Sequence, residues 1–289
     1  MPRALAKTLI YAALIVWTVI ALFPIFWTFS TTFKVAKDVQ LGHILPWIQY
    51  QPGWLGLRAI GLSPDTIFNP STPREEFIKR FLNSIQASIG ASILALVLGS
   101  LAAYGLSRFQ YRWKIWKNSD ISFFFLSQLI LPPVVLAMPF LVLYKELALL
   151  DSMIGLILVY TLSVLPIVIW IMRDQFDSIP PELEQAALVD GCSSWGAFLR
   201  IVVPIALPGM VAAFIISVVL CWNEYFFAAL LTSTSAKTLP AMVASQTGSQ
   251  GINWWTMAAL SSAAILPLIV IGIVFERYIV KGLTAGAGK

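Results

Sequence analysis

The sequence predicts an all-α polytopic membrane protein with six transmembrane helices, on three observations. Composition is the first: of 289 residues, 58% are hydrophobic and only 11% charged, with a mean hydropathy of +0.82, a balance that no water-soluble core hides. The second is a series of apolar runs, each long enough to cross a hydrocarbon core of roughly 30 Å. The third is the placement of the basic residues. The formal net charge is +5, and the lysines and arginines lie at the ends of apolar runs, where they set topology instead of forming a nucleic-acid surface. Cys192 and Cys221 are expected at different depths and His43 is the single histidine, so neither a disulfide nor a metal-ligand cluster is expected.

Residues 1–30 hold the first helix. Arg3 and Lys7 precede an apolar run over about 8–29, and Thr31, Thr32, Phe33 and Lys34 offer no small-residue cleavage site, so a retained span is expected and not a leader. Residues 31–80 are polar and aromatic, with Trp47, Tyr50, Trp54 and the pair Glu75 and Glu76, and are expected as an external loop whose tryptophans favour the membrane surface. The core, 81–280, continues with a second span over about 85–106. This span is rich in Ala, Gly and Ser, which let helix backbones approach closely where lipid gives no hydrophobic drive. A third span over about 121–144 contains Pro132, Pro133 and Pro139 and is expected to be kinked or broken. Such breaks line transport paths or are simply accommodated within a bundle, and both readings stand.

A brief turn with Lys145, Glu146 and Asp151 leads to the fourth span, about 153–172, and then to a polar loop over 173–204. The fifth span, about 205–231, holds Trp222, Asn223, Glu224 and Tyr225. Glu224 is the one acidic residue well flanked by apolar sequence, costly there unless it faces water, a passage or a bonding partner on another helix. A polar loop follows over 232–255, then a sixth span over about 256–280 and a tail, 281–289, reading KGLTAGAGK. Six spans put both termini on one side. There lie Arg3, Lys7, Arg108, Arg112, Lys114, Lys117, Arg173, Arg200, Arg277, Lys281 and Lys289, against Lys145 and Lys237 in the short loops opposite. That asymmetry makes the termini and the loop 173–204 cytoplasmic.

Within that loop the stretch 180–209 reads PPELEQAALVDGCSSWGAFLRIVVPIALPG. Ser178 is expected as an N-cap, Pro180 and Pro181 suit a first helical turn, and Glu182 and Glu184 sit near the positive end of the helix dipole. A short helix over about 180–190 should end at a left-handed Gly191. A second should start at Ser193 or Ser194 and carry Trp195, Phe198 and Ile201 at helical spacing until Pro204 stops it. Ala186 and Ala187 leave the first helix thin on one side, a shape suited to a cleft on another protein.

This two-helix elbow resembles the cytoplasmic coupling loop of binding-protein-dependent ABC importer permeases, whose pattern is Glu-Ala-Ala, three residues, Gly, nine residues, Ile, one residue, Leu-Pro. Ala186, Ala187, Gly191, Ile201 and Pro204 fall on it; Gln185 stands at the motif's Glu, with Glu184 one residue earlier, and Val203 replaces Leu. The sequence Trp222 to Tyr225 is similar to a Trp-Asn-Glu-Phe-type stretch of the carbohydrate branch, and the tail is similar to that of maltose-type, maltose-G-like subunits. The resemblance implies a type I ABC importer permease fold and a permease subunit of an ATP-driven, binding-protein-dependent importer for a sugar or sugar derivative. It implies ATPase coupling through Glu184, Gln185, Ala186, Ala187, Asp190 and Gly191, a translocation path past Trp222, Asn223, Glu224 and Tyr225, and a tail touching the ATPase at Gly282, Leu283 and Thr284.

The implied partners are a second permease subunit in a heterodimer, an ATPase dimer carrying ATP and Mg, a periplasmic or lipid-anchored solute-binding protein, and lipid of a bacterial inner membrane. Nucleic acid is not among them. The glycine-rich tail is no phosphate-binding loop, since the spacing from Gly282 to Gly288 is one residue too long and no Ser or Thr follows Lys289. Catalysis is not expected in this chain: no second carboxylate, His or Cys recurs at the depth of Glu224 to form an acid–base pair. The alternatives are an importer for a non-sugar solute such as a polyamine or glycerol phosphate, and an ion-coupled secondary transporter, which calls for more intramembrane ionisable groups than one Glu.

Overall fold

The structure, a computed structural model, describes residues 3–69, 71–111, 116–248 and 251–285; Arg112, Lys114 and Lys289 lie outside them. Its helices divide into two compact units, residues 1–81 with 241–267 and residues 82–240 with 268–289.

In the first unit, α1 (Arg3–Thr31) is the expected first span. Its last turn is polar: Thr31 Oγ1 donates to the carbonyl of Trp27 at 2.7 Å, and Thr32 Oγ1 lies 3.2 Å from Ser262 Oγ. Lys34 follows, fully buried, its ammonium 3.8 Å from the centroid of the Trp27 ring and 5.2 Å from that of Tyr50. Short helices α2 (Ala36–Gln40) and α3 (Leu55–Ala59) punctuate the loop. Gly56 marks a close approach, because a Cβ there would stand 2.5 Å from the Thr32 carbonyl oxygen and 2.7 Å from that of Trp255.

The helix α4 (Thr72–Arg108) starts well before the expected 85. Its first turns, TPREEFIKRF, are too charged to read as part of a span, yet nothing in them opposes a helix once the apolar part nucleates one. At 37 residues it is about 55 Å long, far beyond the roughly 30 Å of a hydrocarbon core. The small residues expected to let neighbours approach do so: Ala87, Ala91, Ala95, Ala103, Ser88 and Ser92 are all buried.

In the second unit the third span is broken, as its prolines predict. The segments Asn118–Ile130 and Pro133–Glu146 meet at 91°. α5 (Asn118–Ser127) leads through a 3₁₀ turn to Pro132, whose backbone is extended at ψ 129, and a second 3₁₀ turn enters α6 (Ala137–Glu146). Pro139 sits in the first turn of α6, where its missing N–H costs nothing. α7 (Met153–Asp177) is capped by Ser152, whose Oγ accepts from the Gly155 amide at 3.0 Å, and packs along α10 (Val203–Trp222).

The fifth span departs from expectation. The membrane-length helical run covers Ser194–Trp222, and the chain breaks at 223–225 before α11 (Phe226–Leu231), which packs on α6 and α7. The remainder comprises α12 (Leu239–Ala244), a minimal antiparallel pair of β1 (Thr247–Gly248) with β2 (Gly251–Ile252), and α13 (Trp254–Ala285). Among the described residues five helices are long and apolar enough to cross a membrane, and six spans result when the bent pair counts as one.

Beyond α11 the chain is clasped from two sides. The Asp151 carboxylate accepts the amides of Ser233, Thr234, Ser235 and Ala236 and the Thr234 hydroxyl, at 2.9–3.2 Å. Asn83 Nδ2 donates to the carbonyls of Ser235 and Lys237, and the Leu239 amide donates to Ser84 Oγ.

Candidate functional site

The elbow joins α7 to α10. α7 ends at Asp177, and the Ser178 hydroxyl turns back to the Gln175 carbonyl, so it does not cap the next helix; Pro181 occupies that position with no side-chain cap. The correction is local: Ser178 stands too far ahead of α8 (Glu182–Val189) to reach its free amides, and the preceding turn claims its hydroxyl. Glu182 and Glu184 lie in the first turn of α8 as the dipole argument requires. Gly191 adopts φ +87 and ends the helix, the Cys192 amide bonding back to the Ala187 carbonyl at 2.9 Å.

Ser193 caps α9 (Ser194–Ala197), its Oγ accepting from the Gly196 amide at 3.1 Å. Pro204 does not stop this helix. Phe198–Val202 form a single π turn that runs into α10, with Pro204 in the first turn of α10. The wide turn absorbs one additional residue, so the proline needs no donor it lacks.

Two faces result. Inward, Ala187, Ala197, Phe198 and Val202 are buried, and the ring of Tyr104 on α4 sits 4.5 Å from Phe198 and 5.8 Å from Phe176 by centroids. Outward lie Leu183, Leu188, Trp195 and Leu199, with Val189 88% exposed and Gln185, Ala186 and Asp190 beside them. Single apolar residues on a surface are ordinary, whereas five of them exposed on one polar loop suit a contact surface.

Glu184 faces inward, only 8% exposed. Its Oε2 accepts from the Tyr104 hydroxyl at 2.6 Å and its Oε1 from Arg108 Nε at 2.5 Å. Arg108 also donates through Nη2 to the Ile179 carbonyl at 2.9 Å and through Nη1 to Ser107 Oγ at 3.1 Å, while Ser107 donates to Asp177 at 2.5 Å. Arg173 bonds Ser122 on α5 and lies 3.6 Å from Asp177. Reading the sequence, Arg108 counts only as a topology charge. The available signal is the spacing of Tyr104 and Arg108, four apart at a helix end and so on one face.

The second candidate cluster occupies the break after α10. Trp222 is buried, and Asn223 is exposed with Nδ2 bonded to the Val219 carbonyl at 2.8 Å. The Glu224 carboxylate closes over the first turn of α11, accepting the amides of Phe227 at 2.9 Å and Ala228 at 3.3 Å, while the Tyr160 hydroxyl donates to the Glu224 backbone carbonyl at 3.1 Å. Tyr225 is exposed beside it. Glu224 therefore serves the backbone that a broken helix leaves unsatisfied. Gly282, Leu283 and Thr284 lie by backbone within α13, and among the described residues no group of three or more His, Cys, Asp or Glu converges to hold a metal.

The apolar helices and the two-helix elbow between two of them define, as a class, a multi-pass membrane protein with an ordered loop between crossings. The chain belongs to the family of binding-protein-dependent transport system inner membrane components, whose model matches residues 95–284. It is 31% identical to the inner membrane ABC transporter permease protein YcjP of Escherichia coli (strain K12) over 99% of this chain and 98% of that one. It is 32% identical to the trehalose transport system permease protein SugB of Mycobacterium tuberculosis (strain CDC 1551 / Oshkosh), over 93% of each chain. To the trehalose/maltose transport system permease protein MalG of Thermococcus litoralis it is 28% identical over 99% of this chain and 98% of that one. Its fold matches a chain of a bacterial ABC transporter that imports alginate, with a TM-score of 0.73, 20% identity and coverage of 96% and 98%. A chain of the MetNI methionine transporter matches at 0.56, with 16% identity, over 74% of this chain and 99% of that one. The type I importer permease fold is thus the fold of this chain.

Proposed function

We propose that the chain is a permease subunit of an ATP-driven importer for a sugar or sugar derivative, with its elbow on the cytoplasmic side docked to a separate ATPase. The observation that carries this is the elbow itself: a polar loop between two spans, ordered into two short helices, with Leu188, Val189 and Trp195 turned outward. The trehalose, trehalose/maltose and alginate transport named for the matching proteins supports a carbohydrate cargo. The basic residues at the elbow end of the spans support the cytoplasmic assignment of that end and of the termini.

ATP and Mg belong to the partner ATPase dimer in this reading, and Gln185, Ala186, Asp190 and Gly191 form the docking element, with Ala187 of the expected set packed inward behind them. Asn223 and Tyr225, exposed at the break after α10, face the passage, which opens alternately as a second permease subunit and this one rock against each other. A solute-binding protein delivers the cargo from outside. The tail residues Gly282, Leu283 and Thr284 are assigned to the ATPase side.

Native mass spectrometry of the complex in mild detergent tests this. One copy of this chain with a second permease and two ATPase copies is expected, with uptake of trehalose or maltose into vesicles that also contain the binding protein. Recovery without an ATPase would overturn the reading; an intact complex that imports only an amine or a phosphate ester would overturn its carbohydrate part.

A further inference from the structure

The elbow's carboxylates divide. Glu182 and Asp190 are exposed, while Glu184 points back into the protein onto Arg108 in the last turn of α4. One guanidinium there holds two pieces of the elbow at once, the α8 carboxylate through Nε and the Ile179 carbonyl of the α7–α8 linker through Nη2. The Tyr104 hydroxyl one turn earlier makes a second bond to the same carboxylate, and Ser107 reaches Asp177 at the end of α7. Around these bonds lie the Tyr104, Phe176 and Phe198 rings. Ring contacts let helices slide at small cost. A planar guanidinium held to a carboxylate and a carbonyl fixes direction as well as distance, and separating the partners would leave a buried charge uncompensated.

We propose that Arg108, through Glu184 and the Ile179 carbonyl, is the positioning residue that locks the elbow to α4, so that elbow and α4 move as one body when the ATPase moves. Glu184 is then an internal tie and not a group offered to the ATPase. The proposal rests on the docking reading of the elbow. It adds the route by which motion enters the spans.

The test uses the complex with its ATPase in nanodiscs, in a Cys192→Ser, Cys221→Ala background. Spin labels are placed at Glu182→Cys on α8 and Ile89→Cys on α4, both exposed positions. The label distance is measured by pulsed electron resonance with and without MgATP and vanadate. With the tie intact the distance is expected to stay unchanged on trapping. With Glu184→Gln it is expected to shift or split by about 2 Å or more, while the ATPase still co-purifies. Should Glu184→Gln fail to assemble, Arg108→Lys, which keeps the charge and loses the fork, is measured in its place.

A shift on trapping with the tie intact, or no shift in the variant, overturns the proposal. A wild-type complex that purifies without any ATPase overturns the docking reading instead, so the two failures are distinct.

Discussion

At the scale of single residues, Asp151 and Lys34 show opposite ways of placing a charge. Burial pulls the Asp151 carboxyl upward, but the amides of Ser235, Ser233 and Ala236 and the Thr234 hydroxyl together hold its pKa well below the usual carboxylate range. Its contribution is therefore complete above the unfolded pKa of about 3.9 and is lost only as pH falls through the lower folded value. Asp151→Asn should lose roughly 1–3 kcal/mol, because the carboxamide turns an NH₂ toward a row of donors. Melting temperatures measured from about pH 8 down to about pH 4 should show that loss as constant, and the gap should narrow only in stronger acid. For Lys34, burial pushes the amine pKa down and the charge of Asp38 partly restores it; its ammonium lies over Trp27 with no hydrogen-bond acceptor among the described residues. Lys34→Met keeps the packed stem and removes the buried charge, so it should change stability by less than about 1 kcal/mol, whereas Lys34→Ala should cost about 2–4 kcal/mol by opening a cavity. Comparing the melting temperatures of the two variants checks this. Neither placement is legible in the sequence: the partners of Asp151 lie some eighty residues away, and the packing of Lys34 between Trp27 and Tyr50 depends on how the loop after α1 folds back.

Among the elements, what was legible followed backbone chemistry. Gly191 as a left-handed stop, Ser193 as a cap and Pro132 as a break each follow from properties of one residue and its neighbours. The elbow's two helices were legible for that reason. Gly191→Ala should cost about 1–2 kcal/mol at φ +87, where strain and not space is the obstacle. Faster hydrogen exchange at the Gly191 and Cys192 amides would register the loosened stop. The fifth span ends before the sequence suggests because apolar residues continue through Phe226–Leu231 while the helix of α10 does not. The break shows only in Asn223, Glu224 and Tyr225, whose side chains read equally well as path residues. Glu224 closing over the first turn of α11 explains how a carboxylate is tolerated at such a place, a role invisible until the break is known. The early start of α4 escapes the sequence for the converse reason, since its charged first turns are helical without being apolar.

For the whole molecule, the number of spans was legible from apolar length, and the family from the spaced residues of the elbow. The inward turn of Glu184 was not legible, because it depends on Tyr104 and Arg108 some eighty residues away in sequence. The outward surface is the part that answers to other subunits. Val189→Glu, at the most exposed apolar position of the elbow, should leave the melting temperature of the isolated subunit within about 2 °C, since surface substitutions seldom exceed ±0.5 kcal/mol. The same change should abolish co-purification of the ATPase, which a pull-down from membranes reads directly.

The π turn at Phe198–Val202 also fixes an azimuth. A helix rotates about 100° per residue, so removing one residue from that turn would swing everything before it by that angle about the axis of α10. Trp195 and Val189 would then point along a different bearing, with every side chain retained. The length of those five residues is thus as specific an instruction as any residue identity in the elbow, and homologous chains that reach a common partner should vary in composition around Ile201 more readily than in number.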